Sequence, residues 1–185
     1  NMVSEIEKYQ YLCGSICISE EIKDGLLNKD MSDIEKNQAI NEIQSMIRTK
    51  IIYPAQAKNI TVYDTDGNIY DLGYDGFYQN DVDMLLDRLR QENQDVWAYV
   101  HTYRDRDILV LGRRIYEQYS ESRVIGYTLI SIDEKIFSKT VLEPVGLADS
   151  SNIMYMNMDG TVLSSWDRNI ALGEKVDSEF LKNIQ

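Results

Sequence analysis

ITVYDTDGNIY at residues 60–70 and IMYMNMDGTVL at residues 153–163 align without a gap, and the fold follows from reading them as one element used twice. The shared skeleton is Ile60, Asp64, Asp66, Gly67 and Ile69 against Ile153, Asn157, Asp159, Gly160 and Val162. Asp-Gly supplies the left-handed backbone that a tight hairpin turn needs, and the flanking β-branched and aromatic residues suit pleated strands. Each copy therefore predicts a β-hairpin, and two copies predict two related sheet modules in tandem. Asp64, Asp66 and Asn68 invite comparison with a calcium loop. An EF-hand, however, needs glycine at its sixth position and a closing glutamate, whereas here glycine is fourth and no glutamate closes the loop. These acids are read as turn residues.

Outward from the first copy, Ile6, Tyr9, Cys13 and Ile16 recur at helical spacing, and the pattern continues to Leu26 and Leu27. As one helix of about 24 residues it would be roughly 35 Å long at ~1.5 Å per residue, longer than a compact domain needs and suited to a link with a membrane. After a break over 28–31, Ser32 and Glu35 form a capping box, Ile40, Ile43, Ile47 and Ile51 carry an apolar stripe, and the second helix stops before Pro54. The first hairpin occupies 59–63 and 69–72. A tyrosine-rich loop over 70–78 leads to a helix from near Asn80 that places Val82, Leu85, Leu86 and Leu89 on one side. Three strands follow over 96–103, 108–115 and 124–132, with turns at Asp105-Arg106 and Glu121-Ser122. A short helix then runs from Asp133 through Phe137 to Leu142, before Pro144. Helix, two strands, helix and three strands is the order of a PAS-like fold. The predicted class is α+β: long N-terminal helices on a five-stranded antiparallel sheet, with a loop-framed pocket on the opposite face. The expected divisions are 1–58 for the N-terminal helices, 59–143 for a membrane-distal module, and 144–185 for a partial membrane-proximal module.

With 185 residues, 43% of them hydrophobic and only two prolines, the chain can bury a sizeable core. Its net charge of −12 excludes nucleic acid and anionic lipid as partners, since both require a cationic surface. No stretch approaches the ~18 consecutive apolar residues that span a bilayer. The sequence starts inside an amphipathic pattern and stops without a helix cap, so it is read as a piece of a longer protein with membrane helices on either side. Cys13 and Cys17 share one helical face and are read as small buried hydrophobes; with His101 the only histidine, no zinc site is expected and no metal or cofactor is assigned. Phosphate-loop, nucleophile-elbow and zinc-protease motifs are absent, so the chain is read as non-catalytic.

Period-two alternation separates the faces of the central strands. Val96, Ala98, Val100 and Thr102, with Gly126, Thr128, Ile130 and Ile132, suit packing beneath a long helix. The opposite faces carry Trp97, Tyr99, His101 and Tyr103 on one strand and Tyr127, Leu129 and Ser131 on another. Aromatic rings with polar tips, a hydroxyl and an imidazole on one side of a sheet describe a small-molecule pocket. Arg113 and Arg114 end the middle strand, and one of them must face that side, either as a carboxylate clamp or as a partner of the acidic surface. The candidate ligand-binding set is Trp97, Tyr99, His101, Arg113, Arg114, Tyr127 and Ser131.

With these residues laid out, four segments carry a resemblance: LCGSICISEEIKDGLL at 12–27, IIYPAQAKNITVYDTDGNIY at 51–70, RRIYEQYSESRVIGYTLISIDEKIFSKTV at 113–141, and NIMYMNMDGTVLSSWDRNIALGEKV at 152–176. By their order and spacing the chain resembles the extracytoplasmic double Cache sensor region of transmembrane histidine kinases, and most closely the Firmicute kinases paired with AraC-like response regulators. The resemblance implies a ligand- or partner-sensing domain between two membrane helices, dimerising through its N-terminal helices. Amino-acid-binding members carry an Arg-x-Trp-Tyr element and an aspartate on the last strand. Here Trp97 is followed by Ala98, no arginine precedes it at that spacing, and the aspartate position is Ser131. That departure speaks against amino-acid recognition through those clamps, and the aromatic rings with hydroxyls suit a sugar or another uncharged polar solute as the expected ligand.

Overall fold

The computed structural model describes residues 2–28, 32–50, 57–70, 76–118, 123–143 and 153–176. The N-terminal apolar pattern forms two helices, α1 over Met2–Cys17 and α2 over Glu20–Leu27, and not the single long helix expected from its period. Ser19 makes the break. Its backbone is extended and its hydroxyl oxygen accepts from the Ile22 amide at 3.5 Å, so it caps a new helix whose first turn sets Glu20 and Glu21 at the positive end of the dipole. Helix α3, Asp33–Lys50, begins where the capping box predicts: the Ser32 amide donates to Glu35 Oε2 at 2.9 Å and the Glu35 amide donates to Ser32 Oγ at 3.4 Å. Its Ile43 is fully buried at the contact with α2. Residues 29–31, Ile51 and Pro54, on which parts of the sequence reading fell, lie outside the described residues.

Four strands form one antiparallel sheet: β1 over Ala57–Asp64, β2 over Val96–Thr102, β3 over Arg106–Tyr116 and β4 over Val124–Asp133, in the order β1-β4-β3-β2. Among the described residues the expected fifth strand is reduced to a bridge between Tyr63 and Ile69, with the Tyr70 amide donating to the Val62 carbonyl at 2.7 Å. Ile69 is exposed while Tyr70 is buried in the core on the α1 side, so this short arm is held by one side chain and one backbone bond; residues 71–75 and the turn at Glu121-Ser122 lie outside the described residues. Helix α4, Gln79–Gln91, precedes β2, and α5, Glu134–Val141, follows β4 with Asp133 as its cap, its carboxylate accepting from the Ile136 amide at 3.1 Å. Strands β5, Met154–Met156, and β6, Val162–Ser165, make a separate two-stranded sheet. Both repeated turns close on a left-handed glycine, Gly67 at φ 86° and Gly160 at φ 84°. Pro144 and residues 144–152 lie outside the described residues.

Strand register assigns the faces. Trp97 lies opposite Leu111, Leu111 opposite Ile130, and Ile130 opposite Ile60, so these four share one face. That face receives Tyr9, Leu12, Cys13 and Ile16 of α1 together with Phe137 of α5. The other face, with Val96, Ala98, Val100, Val110, Tyr127 and Leu129, is covered by Val82, Leu85, Leu86 and Leu89 of α4. The small residues of β2 thus pack under α4 and not under the long N-terminal helices. Leu85 and Leu89 are fully buried, and each such side chain stabilises the fold by about 1.5–3 kcal/mol.

Candidate functional site

The register divides the sequence-predicted residues between the two faces, so they do not form one convergent pocket. Trp97 and Tyr99 lie on the α1 side and Tyr127 and Ser131 on the α4 side, because the phase of alternation on β4 is opposite to that expected relative to β2. Tyr127 is buried under α4 with the Arg90 guanidinium 5.9 Å from its ring centroid. Ser131 belongs to a buried polar patch on that face with Asn59 and Thr61, where Asn59 Nδ2 donates to Thr61 Oγ1 at 3.5 Å. Arg114 holds the end of α4: its guanidinium donates to the Leu89 carbonyl, to the Arg90 carbonyl at 2.9 Å and to Asn93 Oδ1 at 3.2 Å, satisfying carbonyls that a helix C-terminus leaves open. Arg113 faces the α1 side and is bidentate to Asp95, at 2.6 Å for both bonds, and this pairing holds its pKa above the ordinary arginine value.

Trp97 and Tyr99 open onto a cleft of about 980 Å³ along the free edge of β2. Four elements build it: Gln10 from α1, Met84 and Arg88 from α4 with its C-cap Glu92, Trp97 to Tyr99 from β2, and Tyr155 to Asp159 with Thr161 and Leu163 from the second hairpin. The Trp97 indole packs edge-on to Tyr155, ring centroids 5.5 Å apart at 88°, and Tyr155 in turn tilts against Phe137 at 5.8 Å. Burial, followed by the charge of Asp95, pushes the Tyr155 phenol up to about 12, so it stays protonated. At the edge itself the Trp97 carbonyl accepts from Asn157 Nδ2 at 3.1 Å and from Arg88 Nη1 at 3.3 Å. Arg88 also pairs with Glu92 at 2.9 Å. Gly173, at φ 80°, closes the far wall; a Cβ there would fall 2.8 Å from the Tyr99 ring.

At the exposed end of β2 one carboxylate gathers two side chains. Asp107 Oδ1 accepts from the Tyr99 hydroxyl at 2.8 Å and lies 2.9 Å from His101 Nδ1. Burial works against the Asp107 carboxylate, yet its hydrogen bonds with His101 and Tyr99 outweigh that and bring its pKa below the ordinary value. The same hydrogen bond raises His101, helped by the charges of Asp107 and Asp105. Tyr99 is raised too, first by burial and then by Asp107. The imidazole therefore stands outside the cleft and acts on it through Asp107, which fixes where the Tyr99 hydroxyl points.

Sequence reading missed Gln10, Arg88, Asp95, Tyr155 and Asn157, which come from four separated segments. One signal was present: at the aligned position of the repeat, Asp64 in the first copy becomes Asn157 in the second, exchanging an acceptor-only side chain for one that can donate.

No protein-family model matches the sequence, and no curated protein does. The fold is similar to the sensory domain of the Campylobacter jejuni chemoreceptor Tlp3 (CcmL), solved with isoleucine bound, at TM-score 0.59 and 11% identity over 98% of this chain and 72% of that one. It is similar to the E. coli DcuS sensor domain, at TM-score 0.50 and 17% identity over 74% of this chain and 94% of that one. It also matches an extracellular ligand binding receptor from Desulfohalobium retbaense DSM5692, at TM-score 0.62 and 13% identity over 97% of this chain and 31% of that one. At these identities the likeness is one of fold, a mixed α+β architecture similar to that of PAS-like, Cache-type sensory domains.

Proposed function

We propose that this chain is the extracytoplasmic signal-sensing domain of a two-component sensor histidine kinase, non-catalytic itself, which takes a small solute into the cleft along β2 and relays its presence through α1. The observation that carries this reading is the composition of the cleft. A ligand there touches the edge of the four-stranded sheet, the second hairpin and Gln10 of α1 at once. Helix α1 is fastened to the sheet by Tyr9, Cys13 and Ile16, all fully buried, so a change in how the hairpin sits against β2 is felt by that helix. A ligand shifts such an equilibrium only by its differential affinity for the two arrangements, and a cleft shared by several elements provides that difference. The partition into N-terminal helices, a distal module over 59–143 and a proximal module from 144 belongs to the same proposal, as do dimerisation through the N-terminal helices and attachment to a membrane. No helix among the described residues is long and apolar enough to cross one.

The similarity to a chemoreceptor's sensory domain supports a second reading with the same sensing chemistry and a different output, a chemoreceptor in place of a kinase. The test of the shared part is a thermal-shift screen against sugars, organic acids, amino acids and short peptides. A ligand at 100 times its Kd adds about 2.7 kcal/mol, a rise of roughly 5–10 °C for a chain of this size. The shift is expected to shrink in Arg88→Ala and Asn157→Ala. A shift indifferent to both, and to Trp97→Ala as well, would move the ligand out of the cleft.

A further inference from the structure

Resting on the reading of the cleft as the sensing site, we infer that its ligand is a short extended peptide, uncharged or basic, which binds by adding a strand to the free edge of β2. The order β1-β4-β3-β2 leaves two edges. The β1 edge is partly covered, since Ile69 bridges to Tyr63 and the Tyr70 amide bonds the Val62 carbonyl. Among the described residues the β2 edge pairs with no strand. In an antiparallel ladder, outward-pointing backbone groups belong to alternate residues. On β2 these are the odd positions: the Trp97 carbonyl takes Arg88 and Asn157, and the Tyr103 amide donates to the Gly76 carbonyl at 3.0 Å. Between these two closed ends, the N–H and C=O of Tyr99 and of His101 face away from β3, and among the described residues they have no partner. They offer two donors and two acceptors in strand geometry, the pattern that strand addition uses.

The side chains around the edge narrow the ligand further. Most of the charged and polar groups that would hold a sugar are already engaged: Arg88 with Glu92, Asp95 with Arg113, Asn157 with the Trp97 carbonyl, Asp159 with Lys175, and the Tyr99 hydroxyl with Asp107, which leaves the side chains of Gln10, Gln94 and, beside Asp159, Thr161. Along the strand edge itself the open hydrogen-bonding capacity is main-chain. Beside it lie Trp97, Tyr155, Met84, Met156 and Met158, with Met84 and Met158 exposed. Thioethers and aromatic edges accept varied side chains, as a peptide's alternating residues would require. Asp105 and Asp107 flank the open end of the strand on a chain of net charge −12, which disfavours an acidic peptide.

The test uses the whole chain and pools of uncharged and basic pentapeptides, read by thermal shift and then by calorimetry on the best binder. A scan of single backbone N-methyl groups along that peptide is expected to alternate: positions bonding Tyr99 and His101 lose about tenfold or more, and intervening positions are silent. His101→Pro removes one outward N–H at a position where an edge strand tolerates proline, and is expected to abolish peptide binding while leaving the fold intact. Should that variant unfold, the N-methyl scan alone decides. Peptide binding without the alternation overturns strand addition. Small solutes that bind through Arg88 and Asn157 while all peptide pools are silent overturn the peptide and leave the sensing role standing. Silence from solutes and peptides alike overturns both. A dimer in sedimentation that His101→Pro returns to monomer assigns the edge to a second copy and overturns the peptide.

Discussion

The two copies of the hairpin have the same backbone and opposite dependencies. In the first, the Asp64 amide donates to the Asn68 carbonyl at 3.0 Å and the Gly67 amide to the Asp64 carbonyl at 3.1 Å; in the second, the Asn157 and Gly160 amides make the equivalent bonds at 3.0 and 2.9 Å. The side chain at the aligned position differs. Asp64 folds back on its own turn, accepting from the amides of Asp66 at 2.9 Å and Asn68 at 2.8 Å and from Asn68 Nδ2 at 2.8 Å. In the second copy Asp159 accepts from the Thr161 amide at 3.1 Å, and Asn157 reaches out to the Trp97 carbonyl of β2. The first hairpin is braced from within, whereas the second is held by what it borrows from the larger sheet. An element whose position depends on borrowed contacts is one that a ligand in the shared cleft can move.

The comparison breaks most sharply at the other borrowed contact. Glu134, at the start of α5 and fully buried, accepts from Ser164 Oγ of β6 at 2.7 Å and from Arg168 Nη1 at 2.7 Å, and Arg168 also donates to Ser138 Oγ. Arg168→Ala leaves a buried carboxylate with one partner. Such losses cost about 3–5 kcal/mol when both charges are buried, and with Arg168 half exposed the expected cost is about 2–3 kcal/mol. In calorimetry this is a fall in Tm of roughly 5–10 °C, and hydrogen exchange is expected to quicken in β5 and β6 before β1. Equal quickening in both hairpins would dissolve the distinction. Next in size, Asp64→Ala removes the buried carboxylate that two amides of an exposed turn bond, and should cost about 1–1.5 kcal/mol, confined to that turn. Asn157→Ala should cost about 1 kcal/mol and loosen the second hairpin against β2.

How much of this was legible depends on whether a segment has one buried face or two. Val82, Leu85, Leu86 and Leu89 announce α4 because only one side of it is apolar, and Ser32 with Glu35 announces α3 through local chemistry. Strands β3 and β4 are buried on both faces: Ile108, Leu109, Val110 and Leu111 in succession are fully buried. A strand with no alternation carries no phase. The relative faces of Trp97 and Tyr127 were therefore fixed by register, set at the Asp105 turn with its positive φ of 56° and at the irregular pairing between Ile115 and Tyr116. The break at Ser19 was legible in principle, as a serine followed by two glutamates, but the apolar period running across it masked the cap. The cleft is assembled from four distant segments, and only Trp97 and Tyr99 identified themselves by chemistry.

What the hairpins share is tested by Gly67→Ala and Gly160→Ala. Both glycines are left-handed, so each substitution is expected to cost about 1 kcal/mol, read as similar falls in denaturant midpoint. Strongly unequal costs would mean that the two turns do not pose the same backbone problem.

The smallest expected effect lies at His101, where the free edge of β2 meets solvent. Its pKa in the folded chain is above the ordinary value of 6.5 because Asp107 favours the imidazolium. Between the unfolded and the raised folded pKa the native chain holds more protons than the unfolded one, so stability falls as pH rises. The contribution is complete below about 6.5 and vanishes once pH passes the raised folded value. The imidazole is half exposed, so solvent screening limits the effect to under ~0.5 kcal/mol. His101→Asn should flatten this pH dependence without altering the fold. Asp107 contributes with the opposite sign: its lowered pKa adds stability that is present above the ordinary carboxylate range and lost as pH falls through its depressed folded value. Because Asp107 also holds the Tyr99 hydroxyl, loss of the imidazolium leaves that carboxylate bonded to Tyr99 with only the weaker attraction of Lys135 to offset its charge. Ligand affinity in the cleft is accordingly expected to share the pH midpoint of the stability effect, and a flat affinity profile beside a sloping stability profile would separate His101 from the site.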